Sequence, residues 1–200
     1  HDEIVFTSGA TESDNIALIG TMQKYADRGN HLITCVTEHK AVLDTAKHLE
    51  KLGKKVTYLP VNEYGEINLE QLENAITPET VMISIMFANN EIGTIADVAS
   101  IGEIAHKHDV IFHTDAAQAV GHIPVNVGTM NIDLMSFSAH KMYGPKGIGV
   151  LYVRGVKPRV KPDGLFYGGG QERNIRSGTL NVPGIVGFGK AMEIAVKEMD

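Results

Sequence analysis

Cysteine is almost absent from this 200-residue chain, where Cys35 stands alone. A single thiol excludes an internal disulfide framework and a Cys-x-x-Cys metal site, and it fits a reducing compartment such as the cytoplasm. Cys35 lies among apolar residues and reads as a small buried hydrophobe rather than a nucleophile. Basic runs, aromatic–basic alternation, a secretory leader and an apolar run of membrane length are also missing. With 18 Lys+Arg against 24 Asp+Glu and a net charge of −6, the chain lacks the electrostatic footprint of a nucleic-acid or anionic-membrane binder, so a small ligand is expected. Repeats, low-complexity stretches and internal linkers are absent too.

What is present is a 43% hydrophobic sequence, enough for one well-buried domain over 1–200 and too little for two large ones. Strand-like runs alternate with helical spacing throughout, which predicts an α/β fold with a mostly parallel central sheet flanked by helices. The start at His1 and the stop inside a helix-like tail, 183–199, suggest part of a longer protein.

The pattern places polar residues repeatedly at strand ends. Glu3–Thr7 reads as a strand, followed by a Gly9 turn and a helix with apolar Ile16, Ala17, Ile19 and Met22. Free N–H groups at that helix start would let Gly9, Ala10 and Thr11 cradle a phosphate, or the segment is only an ordinary Ser/Thr N-cap with Glu12 in the first turn. His31–Val36 is a second strand, and His39 sits between it and a helix over 41–52. There it either caps the helix or stacks on an aromatic ligand. Lys55–Val61 and Val81–Met86 are further strands, the latter without alternation, as in a strand covered on both faces. The Asn89-Asn90 pair after it is either turn chemistry or a ligand contact. Val110–Thr114 delivers Asp115 and Gln118 to the same rim. A carboxylate after an apolar run needs a cation, which is either Lys141 or a protonated heterocycle nitrogen.

The stretch Ser136–Val153 organises the rest. Its apolar runs flank Ser138, His140 and Lys141, while Gly144, Pro145, Gly147 and Gly149 argue against a helix between them. In an open α/β sheet ligands bind at the strands' carboxyl edge, so Lys141 with a hydroxyl and an imidazole beside it points to a Schiff-base nucleophile rather than a solvated surface lysine. Lys146 is expected in an exposed, fully solvated turn, and Lys40 at the start of a helix whose side chains point away from the rim. Residues 168–179, GGGQERNIRSGT, are too glycine-rich and polar for a regular element, and are expected to be mobile or held by another chain.

Six segments occur in order: FTSGATESDN, TEHKAVLD, NNEIGT, HTDAAQAVG, SFSAHKMYGPKGIG and GGGQERNIRSGTLNV. Together they resemble the cysteine desulfurases of the NifS/IscS type, class V members of the aminotransferase-like pyridoxal-phosphate enzymes, over essentially the whole chain. The resemblance implies the large domain of a fold type I transferase, with an amino-terminal segment and a carboxyl-terminal small domain lying outside these residues. It implies pyridoxal 5′-phosphate as cofactor and L-cysteine as substrate, converted to L-alanine with the sulfur passed as persulfide to a scaffold or thiolation protein. Lys141 matches the lysine that forms the imine with the cofactor. Ala10, Thr11, Ser138 and His140 match phosphate-cradle positions, and Asp115 the acid paired with the pyridine nitrogen. Gln118 and Asn90 match residues on the phenolic-oxygen side, and His39 the stacked, proton-carrying histidine. Thr179 matches the residue that reaches the partner subunit's phosphate in a homodimer. The persulfide-forming cysteine has no match here, so these residues alone are expected to be inactive. Another class V lyase, such as a selenocysteine lyase, or a binding module without turnover, are the alternatives.

Overall fold

Short apolar runs without alternation become strands buried on both faces, and they set this architecture. The computed structural model describes residues 2–199. Its strands are β1 Ile4–Thr7, β2 His31–Cys35, β3 Lys55–Leu59, β4 Thr80–Ser84, β5 Ile111–Asp115, β6 Leu134–Ser138 and β7 Gly149–Val153. They form one sheet in the order β1-β7-β6-β5-β4-β2-β3. Every residue of β2, β4, β5, β6 and β7 is buried. The pairs from β3 through β6 are parallel, and β7 alone runs against its neighbours β6 and β1. The carboxyl ends of β1, β2, β4, β5 and β6 therefore share one rim with the amino end of β7.

Helices cover both faces. One apolar cluster packs Ile16, Leu18, Met22, Val42 and Leu49 against Leu32, Met82 and Leu134. These helical residues belong to the π-helical turn Ile16–Gly20, which continues α1 Ala10–Asn15, and to α2 Thr21–Lys24 and α3 Lys40–Lys51. The other cluster holds Leu72, Ile101, Phe112 and Phe188. Leu72, Ile101 and Phe188 come from α4 Leu69–Ala75, α5 Val98–Lys107 and α6 Val182–Glu198, and Phe112 from β5. Each fully buried Leu, Ile or Phe contributes about 1.5–3 kcal/mol. Polar residues before the apolar stripes start these helices: Asn68, Asp97 and Asn181 accept from Gln71, Ser100 and Gly184 N–H.

Boundaries differ from the sequence reading where backbone pairing continues past regular strand geometry. β4 ends at Ser84, yet Ile85 and Phe87 N–H still reach His113 and Asp115 carbonyls. β5 extends to Asp115, so that carboxylate is the last strand residue. A 3-10 turn, Ala139–Met142, forms where the glycines argued against any helix. It fits because it closes before Gly144, with Tyr143 in the left-handed region at φ 61°.

The glycine-rich loop also departs from expectation, because this chain itself supplies its contacts. Glu172 Oε2 accepts from Phe6 N–H at 3.0 Å, and Arg173 Nη2 donates to the Ile4 carbonyl at 2.8 Å. Arg176 Nε donates to Glu12 Oε1 at 2.8 Å, and Ile175 and Ser177 are buried. The sequence hides these bonds because their partners lie more than 150 residues away.

Candidate active site

The rim encloses a cavity of about 470 Å³ lined by residues from five separate connections. Ala10 and Thr11 reach it from the start of α1, and His39 from the β2–α3 junction. Asn90 follows β4, Asp115 and Gln118 follow β5, and Ser138, His140 and Lys141 follow β6. These are the residues the sequence analysis selected, apart from Thr179, which is exposed and does not line this chain's cavity.

One wall is built for an anion. No side chain caps α1, whose N-cap is Gly9, and Gly9, Ala10 and Thr11 line the cavity, so uncapped helix-start N–H groups lie at this wall. Ser138 Oγ lies 2.7 Å from His140 Nδ1 across from them. A Cβ on Gly9 would stand 3.8 Å from Ser138 Oγ, in the space between helix end and hydroxyl. The turn sits this close to β7 because Gly149 lacks a side chain, whose Cβ would lie 2.6 Å from Gly9 Cα. Glu12, in the same turn, would repel an anion. Burial pushes its carboxyl up, but hydrogen bonds from Arg176 and Ser8 outweigh this and hold it below the ordinary range, with its charge tied to Arg176.

The floor is acidic. Asp115 is 5% exposed, and Ala117 N–H donates to its Oδ1 at 2.9 Å. Burial raises its pKa, against the pull of that N–H and of the His39 and Lys141 charges. Asp14, on α1, also lines the cavity and is wholly buried. Neither of its oxygens has a hydrogen-bond partner, and His113 Nε2 stands 3.6 Å from Oδ1. Burial, then the Asp115 charge, push Asp14 well above the ordinary range. Burial drives His113 down to about 3, so it remains neutral between the hydroxyls of Ser84 and Ser136. A buried carboxylate next to a free cavity, backed by a neutral acid, suits a protonated ring nitrogen.

His39 caps α3 through its Nδ1 and also lines the cavity. The asparagine pair divides its roles: Asn89 Oδ1 accepts from Glu91 and Ile92 N–H as a turn residue, while Asn90 lines the cavity. Lys146 is exposed in its turn, as expected, and the reversal from β6 into antiparallel β7, through Gly147 at φ 79°, also brings it to the cavity wall. Lys40 is exposed and outside the lining, as expected. Cys35 is buried, its thiol pushed up to about 12 by burial and then by Glu38. His122 escaped the sequence reading; its Nε2 meets the Lys141 carbonyl at 2.8 Å and braces the lysine turn. Asp14 escaped it as well, since an acid in a helix's first turns looks solvated.

Comparison with known proteins agrees with this geometry. The family profile for aminotransferase class V matches residues 1–200. The cysteine desulfurase IscS of Histophilus somni is 57% identical over 197 residues, which is 98% of this chain and 48% of that protein. A probable mitochondrial cysteine desulfurase of Dictyostelium discoideum is 57% identical over 99% of this chain and 44% of its own length. The chain thus spans about half the length of the curated relatives it matches. A solved NifS-like protein superposes with a TM-score of 0.94 at 48% identity, covering 99% of this chain and 54% of its own. SspA in complex with cysteine does so at 0.91 and 48%, covering 96% and 55%. The sheet is that of the pyridoxal-phosphate enzymes of fold type I, and the chain belongs to the class V aminotransferase family.

Proposed function

We propose that this chain is the cofactor-binding part of a pyridoxal-phosphate-dependent cysteine desulfurase. The observation that carries the reading is the meeting, around one cavity, of an uncapped helix start, a buried carboxylate and a lysine at a strand's end. The residues fit the cofactor's chemistry on every side. The α1 N–H groups, Thr11, Ser138 and His140 take the phosphate. Asp115 holds a proton at the ring nitrogen, and Gln118 and Asn90 face the opposite ring edge. Bound there, pyridoxal phosphate supplies an electron sink for a carbanion at the substrate's α-carbon.

The chain's own groups do the rest. Lys141 Nζ acts as the nucleophile that anchors cofactor and then as a proton carrier, and His39 carries a proton at Nε2, since its Nδ1 is engaged by the Ala41 N–H. Cys35 is buried and stays a thiol, so it does not take the substrate's sulfur; that thiol lies outside these 200 residues. Thr179 completes the phosphate site of a second subunit, giving a homodimer with shared sites. The persulfide passes to an acceptor protein for iron–sulfur cluster assembly or thiolation. The lone buried cysteine fits the cytoplasm, and no helix among the described residues is long and apolar enough to cross a membrane.

The test is turnover by the complete natural protein. Incubation with pyridoxal phosphate and L-cysteine should yield alanine and sulfide in equal amounts with a reductant present, and absence of both would overturn the reading.

A further inference from the structure

Two loops on the rim carry His39 and Asn90, and a reciprocal pair of hydrogen bonds joins them. Glu38 Oε1, from the His39 loop, accepts Met86 N–H at 2.6 Å. Asn89 Nδ2, from the Asn90 loop, donates to the Thr37 carbonyl at 2.9 Å. Each loop thus grips the other's backbone with the residue immediately before its cavity-lining residue. We propose that Glu38 and Asn89 are positioning residues that fix the separation of His39 and Asn90 across the cavity; the assignment rests on the pyridoxal-phosphate reading above.

Three further features support it. Glu38 is 5% exposed and its Oε2 has no hydrogen-bond partner. A buried, half-satisfied carboxyl lowers stability, so its place at this junction calls for a local role. Its orientation is fixed from a second side by the Cys35 thiol, 3.3 Å from the same Oε1. Asn89 is equally constrained, because Glu91 and Ile92 N–H hold its Oδ1 and turn Nδ2 toward Thr37. Only one peptide separates Glu38 from His39, whose ring is pinned at the start of α3. Loss of either bond would therefore leave the histidine folded in place but free to shift against the opposite wall. Burial first, opposed by the Met86 N–H, raises Glu38 to about 8, so near pH 7 its carboxyl is mostly neutral and a glutamine can take over its acceptor role.

The experiment uses the complete natural protein loaded with pyridoxal phosphate. Glu38→Ala and Asn89→Ala should each lower kcat about 10–100-fold, the range for residues that orient a reacting group through another. Visible absorption of the bound cofactor should persist while its visible circular dichroism falls, since the ring stays attached but is no longer held in one orientation. Glu38→Gln should restore both signals, and the double alanine variant should be no worse than the weaker single, because both bonds close one junction. Unchanged kcat and dichroism with only a lower Tm would overturn the assignment, as would additive losses or a Glu38→Gln variant as impaired as Glu38→Ala. If Glu38→Ala does not fold, Asn89→Ala, at a half-buried loop position, decides by the same two signals. A protein that develops no visible band before substitution would overturn the cofactor reading and this assignment with it.

Discussion

His39 Nδ1 accepts the Ala41 N–H at 3.1 Å, so the ring that lines the cavity also caps α3. A nitrogen that accepts here carries no proton, which places the neutral ring's proton on Nε2. The two roles separate by substitution. His39→Asn keeps a good capping group and should leave stability within about 0.5 kcal/mol, whereas His39→Ala should cost about 1 kcal/mol. Both should lose about 10²–10⁴-fold in kcat, the range for a lost proton carrier. Thermal unfolding beside steady-state kinetics checks this, and an active His39→Asn would reduce the histidine to a cap.

Lys141 and Lys146 both line the cavity, so position alone does not choose between them. Lys141 follows the Ser138–His140 pair at the end of β6 and is braced by His122 at its carbonyl, while Lys146 sits in the turn beyond. Borohydride reduction of the cofactor-loaded protein and peptide mapping should put the pyridoxyl label on Lys141. A label chiefly on Lys146 or Lys40 would overturn the assignment.

Asp115→Asn keeps size and hydrogen bonding but removes the charge proposed to face the cofactor's ring nitrogen. Turnover should fall about 10²–10³-fold, as when a preorganised electrostatic partner is removed, with little change in Tm of the cofactor-free protein. Near-normal turnover would leave Asp115 only a structural role.

Glu38 also predicts a pH dependence. Its folded pKa of about 8 lies above the ordinary 4.5. The folded state therefore binds more protons, and the stability this acid contributes is complete below pH 4.5 and lost as pH rises to 8, by up to about 1.4 kcal/mol per pH unit. Glu38→Gln removes that loss. Its Tm should match the unsubstituted protein near pH 4.5 and exceed it progressively toward pH 8, and parallel Tm curves would refute the buried-acid account.

Thr179 is exposed and away from its own cavity, so its proposed role needs a second subunit. Lys141→Ala and Thr179→Ala proteins should each be impaired alone. Mixed after subunit exchange, they should regain activity, since one site of each mixed dimer combines an intact Lys141 with an intact Thr179. No recovery in verified mixed dimers would end this reading.

The parts of the fold legible in sequence were those with local causes. Val81–Met86 announced a doubly covered strand by its unbroken apolar run, and Asp115 announced itself as a charge where the pattern demanded none. The illegible parts depend on distant partners. Nothing near Glu12 predicts Arg176, nothing near Asp14 predicts that α1 folds it beneath the cavity, and Lys146 reaches the wall only because β7 reverses direction. The turn before α1 was legible as a glycine turn before a helix, whereas Gly149 gained meaning only from its approach to Gly9.

The cavity wall draws on residues from Ser8 to Gly147, interleaved with five of the seven strands. No contiguous peptide of this chain holds enough of it to retain a ligand, and a partly paired sheet presents only scattered pieces. Any molecule seated there consequently binds the completed sheet alone, adding stability by about 1.4 kcal/mol for each tenfold rise of its concentration above Kd. Occupancy of the cavity is thus a census of finished molecules, and its colour, once a chromophore is bound, counts only chains whose sheet has closed.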